Sequence, residues 1–197
     1  MLSEIWSGGY FELGMEFDRL PEARLCTVRS AMWEHASLHG CYASPVLSNR
    51  EGCAQKAAEF EISARLFGIA DIPQFGDFPC VSWAVPSDDG SNWLGLGVPM
   101  KALGTRVGVG AYPFDDGSDL SWRPVIQDWL RDIATTVHEF HPFTLGLIEH
   151  NATGDVSTEA IARDGIPEKR WLGYLWPEAG FMKWYPPTEG APFQRGA

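Results

Sequence analysis

Apolar and polar positions alternate with two periods along this chain, and the switches between them mark its elements. The clearest stretch is 121–150. Trp122, Val125, Ile126, Trp129, Leu130, Ile133, Val137 and Phe140 recur at steps of three and four, which places them on one broad face of a helix. Arg123, Gln127, Asp128, Arg131, Asp132, Thr135 and Glu139 fall mostly on the other side. Ser121 is positioned as an N-cap, and Pro124 sits in the first turn, where its missing N–H costs little. Pro142 disfavours helix at His141, and the short apolar run 143–148 then predicts a largely buried strand.

The remaining elements follow from the same patterns. In 9–17, Phe11, Leu13, Met15 and Phe17 share one face of a strand and Glu12 and Glu16 point the other way. Pro21 opens a helix over 22–36 with Leu25, Val28, Met32 and Trp33 on its apolar side, and 38–43 reads as a second strand. Ser48 and Glu51 form a capping box for a helix that carries Cys53, Ala57, Ile62 and Leu66 and ends at Gly68 as a C′ residue, followed by a loop over 69–77. Strands 78–85 and 93–98 flank the turn-rich 86–92 and make a hairpin. A strand over 105–114 leads through the acidic loop 115–119 to the long helix. After 143–148 come a turn at 151–155, a helix over 157–164 with Val156 and Ile161 as a staple, a hairpin of 171–176 and 181–185, and a Pro/Gly-rich tail, 186–197.

Laid side by side, 9–99 and 105–185 show the same order: strand, helix, strand, helix, hairpin. The expectation is an α/β (α+β) chain of two similar units, 1–103 and 104–185, with a mixed or antiparallel sheet and helices packed on it. The two units would form one body or share one sheet.

Composition adds class and surface character. With 45% hydrophobic and 21% charged residues the 197-residue chain can fill a sizeable core as a globular protein. A net charge of −11 argues against nucleic acid and anionic membrane surfaces as partners and for a basic protein. No apolar run approaches a membrane span, the first residues lack the pattern of a signal peptide, and none of the four cysteines makes a C-x-x-C pair. The expected setting is therefore the cytoplasm, with reduced thiols acting as small hydrophobes.

Few positions suggest chemistry. His138, His141 and His150, with Glu139 and Glu149 near in sequence, have the donor types of a zinc site with an open position for water, although H-E-F-H is one residue short of H-E-x-x-H. At a helix end a histidine also serves simply as a partner for the dipole. Gly95 and Gly97 leave a bare strip of strand that a helix or a ligand can approach, while the glycine-rich 95–104 lacks the closing G-K-[ST] of a phosphate loop. No nucleophile elbow occurs and no cofactor is implied.

Tryptophan is abundant, with nine residues. Trp93, Trp171, Trp176 and Trp184 fall in hairpins or at element edges, and Asp88, Asp89, Asp115 and Asp116 lie in turns. Aromatics rimmed by acid suit an interface for a cationic protein. Small acidic α/β chains without catalytic motifs include many immunity proteins that neutralise toxins, a resemblance of class that no motif here carries. The sequence thus points to an acidic binding protein. The alternative is a small-molecule binder or metal-dependent hydrolase with the histidines in a cleft between the units.

Overall fold

The alternation in β1 (Tyr10–Phe17) has two consequences in the computed structural model, which describes residues 5–6, 8–45, 57–86, 90–109, 119–178 and 180–189. Phe11, Leu13, Met15 and Phe17 are buried, as their period predicts, but Glu12 and Glu16 are buried too, at 3% and 1% exposure. β1 is an interior strand covered on both faces.

The described residues form one eight-stranded antiparallel sheet with the order β2-β3-β4-β5-β1-β6-β7-β8. The other strands are β2 (Leu38–Tyr42), β3 (Leu66–Ile72), β4 (Gly76–Val85), β5 (Asn92–Pro99), β6 (Leu145–His150), β7 (Gly173–Glu178) and β8 (Phe181–Tyr185). Helices α1 (Glu22–Trp33) and α3 (Trp122–Phe140) lie side by side on one face, and a short α2 (Met100–Gly104) follows β5. The main core is sealed there by Trp129, whose Nε1 donates to Ser37 Oγ at 2.8 Å, and by Trp33, whose Nε1 donates to Ser82 Oγ at 2.8 Å. On the opposite face, Leu145 and Leu147 meet Ile161 of α4 (Thr158–Asp164) in a second, smaller cluster. Ser157 caps α4 as expected, its side chain accepting from Ala160 N at 3.3 Å, and Gly165 ends it at φ +78°. No helix among the described residues is long and apolar enough to cross a membrane.

The structure corrects two expectations. The predicted helix ending at Gly68 is not formed over its described part. Its first residues, 48–56, lie outside the described residues; Ala57–Glu59 make a single 3₁₀ turn, and Leu66 already belongs to β3. The carbonyls of Ala57, Phe60, Glu61, Ile62 and Ala64 turn inward and accept from the Arg29 guanidinium, so the segment folds around that side chain; Ala57 O and Glu61 O also accept from Phe60 N at 3.3 Å and Ala64 N at 3.0 Å in separate tight turns. Leu66, Gly68, Ala70 and Ile72 are buried in alternation, the period of a strand where a loop was expected over 69–77. Gly68 is no cap; a side chain there would collide with the Trp33 ring.

The predicted strand 105–114 is likewise absent over 105–109. The N–H groups of Thr105, Arg106 and Val107 close back onto Ala102 and Leu103 as a continuation of α2. The rest of that stretch lies outside the described residues. The repeat is not confirmed. Its two units would need corresponding strands and helices, yet 57–66 holds a single 3₁₀ turn and 105–109 is not extended. β1 and β2 stand four places apart in the sheet, while β6 lies directly beside β1. One sheet therefore runs through both 1–103 and 104–185, and its described elements do not correspond one for one between the two stretches. The glycine strip has a third occupant besides the two anticipated: the Trp83 indole lies against Gly95 and Gly97.

Candidate functional site

The buried face of α3 is set by its apolar stripe, and the flank beside that stripe borders a groove. Arg123, Gln127 and Arg131 follow one another at steps of four along this flank, with Asp128, Asp132 and Thr135 beside them. Opposite stands β8, whose Trp184 lies over Gly173 and packs partly buried against the main core. Pro186 and Pro187 continue that wall. Their position is fixed by Arg170, whose Nε donates to Pro186 O at 2.8 Å and whose carbonyl accepts from Thr188 N at 2.8 Å.

Two cavities join between these walls. One of about 370 Å³ is bounded by Arg123, Gln127, Pro124, Pro186 and Pro187. The other, about 430 Å³, is bounded by Arg131, Asp132, Thr135, Leu175 and Met182. Asp128 and Trp184 border both, so the two cavities adjoin as a groove along α3. Asp128 and Asp132 are exposed at its rim, with side-chain exposures of 70% and 73%. Arg131 lays its guanidinium over the Trp184 ring at 5.2 Å and donates to Asp128 Oδ1 at 2.7 Å.

The inner end is lined by buried polar groups. Arg123 Nη2 donates to Glu149 Oε2 and, at 2.6 Å, to Trp171 O; its Nη1 donates to Glu189 O at 3.2 Å. Arg123 Nε and Gln127 Nε2 are buried with no partner among the described residues. Behind Arg123, Glu149 stands directly opposite Glu12 across the β1–β6 pair. Burial pushes the Glu149 carboxyl up to about 7, against the lowering pull of Arg123. Burial likewise raises Glu12 to about 7, opposed by Thr153, whose N–H donates to Glu12 Oε1 at 2.7 Å. Glu16 Oε2 accepts from Thr158 N at 2.6 Å and Oγ1 at 2.7 Å, so two β1 carboxylates hold the 151–158 segment against the sheet.

A buried amide donor without a partner costs about 1–3 kcal/mol. Gln127→Met keeps the shape and removes that donor, so it is expected to raise the melting temperature; an unchanged or lowered value in a thermal melt would count against an unsatisfied Gln127.

The expected site residues are distributed differently from one another. Trp184 borders the groove. Trp93 is buried in the opposite-face cluster, with Trp171 and Trp176 partly buried against it. Asp88, Asp89, Asp115 and Asp116 lie outside the described residues. The histidines are not brought together. His138 Nδ1 accepts from Phe143 N at 3.3 Å, and His141 stacks on Phe17, at one end of β1. His150 pairs with Phe11 at the other end and contacts Gly8 O through Nε2 at 3.1 Å. The six residue steps from Phe11 to Phe17 span roughly 20 Å of strand. Burial lowers the pKa of both His138 and His150. Among the described residues no three His, Cys, Asp or Glu side chains converge as metal ligands.

Of the thiols, Cys26, Cys41 and Cys80 are free, and burial raises Cys41 to about 11 and Cys80 further. Both stay protonated and unreactive near neutral pH. Arg123, Gln127, Asp128 and Asp132 read as solvent-facing helix positions from the sequence. The only trace of the groove there is a polar stripe at steps of four bordering the apolar one. No protein-family model, curated protein or solved structure matches the chain.

Proposed function

We propose that this protein binds a basic protein partner through the groove between α3 and the β7–β8 hairpin, in the manner of an acidic immunity-type inhibitor. The observation that carries the reading is the guanidinium of Arg131 seated on Trp184 and Asp128. That arrangement is an intramolecular example of how this surface accommodates a cation. Asp132 extends the acidic rim, and a net charge of −11 supplies long-range attraction for a positively charged partner.

The direct test is retention of proteins from source-cell lysate on the immobilised chain and on the Asp128→Lys/Asp132→Lys variant. The expected result is a polypeptide of high isoelectric point held by the native protein and lost from the variant. Its association rate should fall steeply from about 50 mM to about 0.5 M salt, as screening shortens the reach of the field. Equal retention by both proteins, or a partner that is neutral or acidic, would remove this reading.

A further inference from the structure

We infer that the groove takes an extended, basic stretch of polypeptide, with a backbone carbonyl of the ligand accepting from Gln127 and a lysine or arginine side chain running past Trp184 to Asp128 and Asp132. This rests on the binding role above and adds the kind of segment bound.

The first support is the pair of unpaired donors. Gln127 and Arg123 are each 7% exposed, and Gln127 Nε2 and Arg123 Nε have no acceptor among the described residues. Both residues border the inner cavity. A methionine-shaped side chain would fill the Gln127 position without an orphan donor, so the amide is a group awaiting an acceptor. A chain of carbonyls presents acceptors of that kind, and a neutral acceptor suits a pocket whose one cation is already paired with Glu149.

Length gives the second support. From Arg123 to Thr135 the flank of α3 covers twelve residue steps. At ~1.5 Å per residue that is roughly 18 Å, the span of about five residues in extended conformation. The walls are the third. Pro124, Pro186 and Pro187 have no N–H to compete for the ligand's carbonyls, and Trp184 offers a flat ring for an aliphatic or guanidinium side chain. At the outer cavity Asp128 and Asp132 follow these positions along the same line; Arg131 Nη1 already lies 2.7 Å from Asp128 and His35 Nε2 3.3 Å from Asp132, so a ligand cation would join or displace those partners.

The probe is a fluorescein-labelled Pro-Arg-Pro-Arg-Pro-amide peptide, which proline keeps extended, titrated with the full chain and followed by anisotropy. Binding is expected to weaken at least tenfold with Gln127→Met and tenfold or more when citrulline, neutral and of the same shape, replaces both arginines. The Trp184 indole N–H resonance, assigned by its loss in Trp184→Phe, should shift on binding. A stably folded Gln127→Met protein that binds the peptide as the native chain does would overturn the inference, as would equal binding of the citrulline peptide. If the peptide does not bind but charge reversal at Asp128 and Asp132 still releases a basic partner, the extended-segment inference fails and the binding role stands. Loss of both results would remove both.

Discussion

Replacing Arg29 with methionine is expected to destabilise the fold by about 3–5 kcal/mol. Arg29 is fully buried and holds no carboxylate among the described residues. Its Nη1 donates to Glu61 O, Ile62 O and Ala64 O at 3.1–3.2 Å, and its Nη2 to Ala57 O, Phe60 O and Glu61 O at 2.7–3.3 Å. Methionine would fill much of the volume but take the guanidinium from five carbonyls, of which Ala57 O and Glu61 O would keep a backbone donor, and the 57–64 segment would lose the contact that shapes it. For a chain of this size the melting temperature should drop by roughly 10 °C or more. Lysine would restore little, because one ammonium with three donors cannot reach five carbonyls at once. A shift of under about 2 °C for Arg29→Met in a thermal melt would show that the guanidinium is not what orders 57–64.

The second expected result concerns pH. Glu12 and Glu149 have folded-state pKa values raised to about 7, mainly by burial. A raised carboxyl binds its proton more tightly in the folded than in the unfolded chain. Its stabilising share is therefore complete below the unfolded value near 4.5 and is lost as pH rises to about 7, with a plateau beyond. Each shift corresponds to on the order of 3 kcal/mol. General repulsion at a net charge of −11 acts in the same direction, so the wild-type curve alone does not isolate the two carboxyls.

Glu12→Gln does isolate one of them. It keeps an acceptor for Thr153 N–H and should leave stability near pH 4 unchanged while raising it near pH 8 by about 2–3 kcal/mol. Arg123→Met should do the opposite, costing about 3–5 kcal/mol near pH 8, where Glu149 would be a buried charge without its cation, and distinctly less near pH 4. Urea titrations of the three proteins at both pH values give the comparison. A Glu12→Gln curve parallel to that of the native protein would mean that Glu12 is not held protonated by the fold.

Most helices and strands of this protein are legible in its sequence, because a period of two or of three to four residues is a local property. The α3 stripe from Trp122 to Val137, the β1 alternation, the Ser157 cap and both hairpins depend on neighbours a few residues away. The 57–72 region fails for a nonlocal reason. Its alanines and Glu59 favour helix, but a guanidinium 28 to 35 residues earlier in the chain captures the carbonyls a helix would need. The candidate groove escapes detection for a similar reason. Trp184 was legible as an edge aromatic, yet nothing local distinguishes Gln127 from Glu139, although one is buried beside Trp184 and the other is exposed.

By itself, then, the sequence determined the periodic elements, the acidic character and the lack of a recognisable catalytic motif. Tertiary structure decided the rest: one antiparallel sheet through both 1–103 and 104–185, β1 at its interior with Glu12 and Glu16 covered, histidines separated to opposite ends of a strand, and Gln127 Nε2 without a partner among the described residues. The division follows from what each property depends on. Periodicity is fixed by bonded neighbours, whereas burial of a carboxylate or an amide is fixed by which distant segment lies over it, here 151–158 over β1 and the 184–187 wall beside α3.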